Sequence, residues 1–359
     1  MFFTITAIIP ITSYSLWIDE SSTAFFASQN TFNELNTTLL SASSSEIQMP
    51  GYIYYMWAWV KIFGHNEFIL RLSNLPFIIL LLLVLFNAPF TGRLKIIFAT
   101  LVVFSPFVWY NLNEARCTIP VFSLGAIAII SLAQYFEGTG RFKKKAIWMF
   151  SASVVLGVVF NMLFLLFIPI IALLFLSQII HYRIKFRKIF SDWLMGFIVM
   201  LISIVLLAFY YFWTIDQGKG GFKETPGIMN LVFLLYEHLG FSGIGPPRNI
   251  LRESFSLEVV KPYLPFLVLF TLFYLLLFVY IFKYYRKHNK VVHIIFDSYL
   301  ITYIFGVIFF SIVCFIFDFR FLGRHGAFLL PIFLFFLAKV IDDIINVQAT
   351  IWLKILILL

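Results

Sequence analysis

The chain has 359 residues, of which 62% are hydrophobic and only 12% charged. A soluble domain sits near half apolar and about a quarter charged, which excludes that class, and several uncharged runs reach the roughly 20 residues a helix needs to cross a bilayer. The net charge of +9 therefore points to loops held on the cytoplasmic side of a membrane, and no nucleic-acid partner is expected.

Apolar runs predict spans over 2–16, 67–86, 95–110, 118–136, 146–161, 162–180, 193–212, 263–282, 294–317 and 326–345, with a partial run at 349–359. The expected fold is an all-α polytopic bundle of about 10–11 transmembrane helices in one integral membrane domain, 1–359. The stretch 146–180 is too long for a single crossing and is divided at Asn161. Met1 to Leu16 has neither a basic n-region nor a small-residue cleavage site, so it reads as a short span carrying Pro10 and not as a cleaved signal. The last run, Ala349 to Leu359, stops while still apolar, which raises truncation at one or both ends. Cys117 and Cys314 lie in or beside apolar runs without metal-ligand spacing and read as buried thiols. No cofactor is called for, and no metal is indicated.

The connecting segments alternate in charge. Segments 87–95, 137–145, 181–192 and 283–290 are rich in Lys and Arg, from Arg93 and Lys95 through Lys143–Lys145 to Lys287, with only Glu137 and Asp192 as acids. Short basic loops stay in the cytoplasm. The acid-bearing set, from Asp19 and Glu20 through Glu114 to Asp318, then faces the periplasm or cell exterior, and the expected location is a multi-pass protein of the plasma or inner membrane.

Two of these outer segments, 17–66 and 213–262, are long enough to cap a site. In the first, Phe25, Phe32, Leu35 and Leu39 share one helical face, so 20–41 is expected to be a helix lying in the interface. Gly51 to Phe63 is aromatic and too short to span, which predicts a second in-plane helix. The second segment opens on Gln217-Gly218-Lys219-Gly220-Gly221 and continues through an amphipathic 228–241 to a Gly-Pro turn at 243–248.

Four clusters could carry chemistry. Asp19 and Glu20 end the first run; Asp19 is equally readable as a helix N-cap. Glu114 and Arg116 sit at the surface between two spans, where a mutual ion pair of little energetic value is the plain alternative. Ionisable groups at that depth are costly, which favours function. Arg320, Arg324 and His325 suit an anionic head group because the guanidinium fork matches phosphate oxygens, although lipid anchoring would use the same residues. Arg248 and Arg252 lie one helical turn apart after Pro246-Pro247, where a helix N-terminus could face an anion, and Arg71 is a further cation. A carboxylate set and an arginine set on one membrane face suit transfer from a lipid-phosphate sugar. A carboxylate takes the acceptor proton, and cations stabilise the departing phosphate.

Trp17-Ile18-Asp19-Glu20, Gln48-Met49-Pro50-Gly51-Tyr52, Lys61-Ile62-Phe63-Gly64 and Glu67-Phe68 to Arg71-Leu72 resemble the bacterial glycosyltransferase family 39 membrane proteins. These are relatives of the protein O-mannosyltransferases and the lipid A aminoarabinose transferase. Glu114-Ala115-Arg116 and Gly323-Arg324-His325 with Pro331 fit the same order, so the resemblance covers most of the chain. It implies the GT-C fold, a polyprenyl-phosphate-linked sugar donor, and a lipid, glycan or protein acceptor in cell-envelope glycosylation. It also implies inverting transfer at the outer face, with Asp19 as base. Relatives often carry His-Pro-Pro where this chain has Gln48-Met49-Pro50. A transporter or flippase of lipid-linked sugars would instead show two related halves and charged or broken helices at mid-membrane, and a polymerase or ligase would not predict Asp19-Glu20.

Overall fold

The computed structural model describes residues 2–138, 140–217, 225–246, 250–251, 257–287 and 297–346. Among these residues the protein is all-helical, with no β-strand. Among the described residues six helical segments are long and apolar enough to cross a membrane: Glu67–Asn87, Thr118–Glu137, Met162–Tyr182, Arg187–Asp216, Glu258–Lys283 and Ser298–Ile316 (α16). A seventh arises if Gly92–Val103 (α7) and Pro106–Leu112 (α8), bent by 56° at Phe104–Ser105, form one crossing. Pro106 opens α8, because a proline fits a first turn but cannot continue the hydrogen-bond ladder of α7.

That count is below the ten or eleven expected. The first run forms only a seven-residue helix, Phe2–Ile8 (α1), before Pro10. The run 146–161 belongs to Arg141–Phe160 (α10), whose first turn is spent on Arg141 and Lys143–Lys145. The run 326–345 becomes Leu330–Asn346 (α17), with Lys339, Asp342 and Asp343 in its last turns. The partial run 349–359 lies outside the described residues. The break expected at Asn161 is present: its backbone is extended (φ −158°, ψ 126°), and its side chain accepts from the Leu163 amide at 2.8 Å.

Thr118–Glu137 (α9) is the central column, buried from Thr118 to Phe136. It packs against α10, Leu75–Asn87 (α6), α17 and Phe167–Tyr182 (α11). Phe186–Asp216 (α12) and Leu264–Lys287 (α15), the latter preceded by the short Leu257–Val260 (α14), are peripheral and leave residues such as Leu206 and Leu276 more than 60% exposed, as expected for helices whose outer faces meet lipid.

The segment 17–66 is helical, but its first part is two helices. Ile18–Ala27 (α2) ends at Ser28, and Phe32–Ser41 (α3) restarts at Thr31. The Thr31 hydroxyl accepts from the Glu34 amide at 3.2 Å and the Glu34 carboxylate accepts back from the Thr31 amide at 3.3 Å, a reciprocal cap that breaks the single helix expected over 20–41. Pro50–Phe63 (α4) matches the second in-plane helix. Its aromatic heads tether it to neighbours: Trp57 Nε1 donates to the Gln29 carbonyl, Trp59 Nε1 to Ile69, and the Tyr55 hydroxyl to Ser73, at 2.7–2.9 Å. Gly51 lets α4 press onto α10, since a Cβ there would lie 2.2 Å from a Val159 methyl. Glu67–Leu72 (α5) leads from α4 into α6.

Candidate functional site

Where α9 begins, five segments remote in sequence bring seven charged side chains together. Glu20 and Arg71 form the most enclosed pair: Arg71 Nε meets Glu20 Oε1 at 3.0 Å and Nη2 meets Oε2 at 2.9 Å, with both side chains at most 2% exposed. Arg71 Nη1 also donates to the carbonyls of Thr12 (3.0 Å) and Tyr14 (2.8 Å), while Glu20 accepts from the Trp17 and Ala115 amides. This pair staples the irregular segment 12–15, α2 and α5 to the start of α9. Neither member lines the neighbouring cavity. Expected as acceptor-orienting acid and phosphate ligand, Glu20 and Arg71 are instead fully engaged by each other and by backbone.

Arg116 does not pair with Glu114. Its Nη1 meets Glu46 Oε1 at 2.8 Å, the Thr23 hydroxyl at 3.1 Å and the Asp19 carbonyl at 2.9 Å. Burial works against the charge of each partner, yet the mutual attraction wins. Glu46 is held below the ordinary carboxylate range, and Arg116 is raised above the ordinary guanidinium value. Glu46 is the site residue that the sequence analysis missed. It sits alone in the polar stretch 41–48, and its only signal was that a buried arginine demands a carboxylate from somewhere.

Arg324 occupies the middle. Its Nη2 lies 2.5 Å from Asp19 Oδ2 and its Nη1 3.6 Å from Glu114 Oε2. Asp19 stands one position past the first residue of α2 and does not cap it. The cap position is Trp17, whose amide is taken by Glu20. Arg324 is carried by the short 3-10 turn Gly323–Gly326, which rests on Ile228–His238 (α13). That seating needs Gly323, because a Cβ would fall 2.2 Å from Glu237 Oε2. His238 is buried beneath the same turn with Nδ1 3.2 Å from the Tyr303 hydroxyl, and burial pushes its pKa down to about 3, so it stays neutral. His325 uses Nδ1 to accept from the Leu322 amide at 2.8 Å, which shapes the turn.

Asp19, Arg116, Arg324 and His325 line one cavity of about 130 Å³ together with Gln48 and Asn161. Cys117 also lines it, receiving a hydrogen bond from Asn161 Nδ2 at 3.2 Å. Arg320 is exposed and lies outside that lining. Arg248 and Arg252 lie outside the described residues, as does the glycine-rich 218–221. Among the described residues no group of three or more His, Cys, Asp or Glu side chains is arranged to hold a metal ion.

Asp19, Glu20, Glu46 and Glu114 face Arg71, Arg116 and Arg324, so the cluster carries one more acid than base. Of the two carboxylates that face Arg324, Asp19 is the more exposed, with 32% of its side chain accessible against 4% for Glu114.

No protein-family model matches the chain, and no curated protein sequence is similar to it.

Proposed function

We propose that the protein is a membrane glycosyltransferase with a GT-C-type bundle. It would move a sugar from a polyprenyl-phosphate donor to an acceptor hydroxyl at the outer membrane face, with inversion. The observation that carries the reading is Arg324 held between Asp19 and Glu114 on the wall of a cavity that Arg116 and His325 also line, at one end of an apolar helical bundle.

The donor phosphate engages Arg324, with Arg116 contributing from the same wall, and displaces the Asp19 carboxylate. The freed carboxylate accepts the proton of the acceptor hydroxyl. The acceptor oxygen forms its bond to the anomeric carbon as the bond from that carbon to the phosphate oxygen breaks, and the electron pair leaves with the phosphate. Charge grows on the phosphate as this happens, so the cations act more strongly on the transition state than on the bound donor. Glu114, which also faces Arg324, keeps the guanidinium oriented after Asp19 has moved away. The exchange makes the base available only when donor is bound.

The test is head-group analysis of lipid-linked sugars in a strain lacking the gene. The expected result is one prenyl-phosphate sugar accumulating in the outer leaflet with its acceptor unmodified. The same lipid trapped in the cytoplasmic leaflet would mean a flippase and would overturn the reading.

A further inference from the structure

Glu114 also borders a second cavity, of about 580 Å³, lined in addition by residues from the segment that leads into α2, from the α7–α8 bend and from the 242–243 turn. This volume falls within the roughly 300–1,000 Å³ typical of small-ligand sites. Its walls are ring-bearing: Trp17, Phe104, Trp109 and Tyr110, with Pro10 and Pro106. Its polar positions are Asn113, Glu114 and Ser242. No Leu, Ile, Val or Met lines it, although 62% of the chain is hydrophobic.

The walls are also fixed in place. Trp109 Nε1 donates to the Val103 carbonyl, and its ring stacks on Phe104 with centroids 6.4 Å apart and planes 27° off parallel. The Asn113 carboxamide oxygen accepts from the Thr12 amide at 2.8 Å and the Thr12 hydroxyl at 2.9 Å, which sets the orientation of that side chain.

A prenyl or acyl chain gains most from flexible aliphatic walls that follow its shape. A pyranose ring asks for something else: flat aromatic faces, whose negative quadrupole attracts its C–H face, and a few fixed polar groups for its hydroxyls. The cavity offers the second set. We propose that it binds a pyranose ring, stacked on the Trp17 and Trp109 walls with hydroxyls toward Glu114 and Asn113. The catalytic meaning of this site rests on the glycosyl-transfer reading, but its binding chemistry does not. The sugar belongs either to the donor or to the end of an acceptor glycan.

The experiment measures binding without turnover, on the full chain purified in detergent. Saturation-transfer NMR and calorimetry are run with a panel of methyl hexopyranosides and disaccharides, with a short-chain prenyl-phosphate sugar, and with the same prenyl phosphate lacking sugar. Binding of a free saccharide, with its ring C–H signals saturated, assigns the cavity to an acceptor glycan. Binding of the prenyl-phosphate sugar alone, stronger than that of the bare prenyl phosphate, assigns it to the donor sugar. In either case Trp109→Ala should weaken binding about tenfold, with Trp109→Phe retaining most of it. Trp17→Ala, on a different segment, tests the same wall if Trp109→Ala does not fold. Equal binding of prenyl phosphate with and without sugar, weakened alike by both variants, would make the cavity a lipid groove and overturn the proposal. Failure of every sugar-bearing ligand, the prenyl-phosphate sugar included, to bind better than bare prenyl phosphate would overturn it too. Saccharide binding that persists in a protein without transferase activity would separate this proposal from the glycosyl-transfer reading.

Discussion

Arg324 Nη2 and Asp19 Oδ2 lie 2.5 Å apart although 305 residues separate them in the chain. The contact joins the turn before the last described helix to the first turn of α2. The carboxylate proposed as base is occupied by the cation proposed for the phosphate. In the proposed mechanism each would be released to its task by the arrival of the same substrate.

Replacing Arg324 tests the phosphate half of that exchange. Lys keeps a charge but loses the planar fork that can face Asp19 and Glu114 together, so Arg324→Lys should retain partial turnover. Arg324→Ala should be nearly inactive, with donor affinity falling less than turnover because the cation acts chiefly on the transition state. Turnover and donor affinity measured on the purified variants decide the point. Full activity in Arg324→Ala would leave Arg324 as a structural partner of Asp19 and Glu114 only.

The Glu20–Arg71 pair should matter to folding and not to chemistry. Removing one member of a buried pair leaves an uncompensated charge and costs about 3–5 kcal/mol. Arg71→Ala should therefore lower the detergent melting temperature sharply, and Arg71→Met with Glu20→Leu should recover much of the loss. Wild-type stability in Arg71→Ala would contradict the staple.

Glu46 gives the protein an acid-sensitive joint. Its folded-state pKa is lowered, so the unfolded chain binds its proton first on acidification. The stabilisation from the Arg116 pair is thus complete above the ordinary carboxylate value of 4.5 and is lost as pH falls through the lower folded value. Melting of wild type and Glu46→Gln compared from pH 7 to pH 3 should show a gap that closes below about pH 4.5. A gap independent of pH would mean that Glu46 acts by packing alone.

Sidedness is testable with cysteines. Cys117 and Cys314 are buried, so background labelling by an impermeant thiol reagent is low. Cysteine at exposed Ser43 should label in intact cells and cysteine at Lys144 should not. Labelling at Lys144 would invert the orientation and with it the proposed outer-face site.

Much of the architecture was legible because bilayer-length apolar runs and the break at Asn161 are local signals. The span count was less so, because a run of apolar letters does not reveal that the basic turn of α10 or the acids of α17 use up part of its length. The site was legible as residue types and not as partners. Asp19, Glu114, Arg116 and Arg324 do meet, but Glu114 and Arg116, two residues apart, choose other partners, and Glu46 had no signal of its own. Which carboxylate faces which guanidinium is decided by how α2, α9 and the 323–326 turn pack, and no spacing rule encodes that.

The central claim is that Asp19 is the general base, and one substitution tests it most directly. Asp19→Asn keeps the size of the side chain and a hydrogen-bonding oxygen for Arg324, so the detergent melting temperature should stay near that of wild type. Transfer from a labelled prenyl-phosphate sugar, measured in reconstituted membranes, should fall by about 100- to 10,000-fold. Near wild-type transfer by Asp19→Asn would contradict the account and pass the role of base to Glu114.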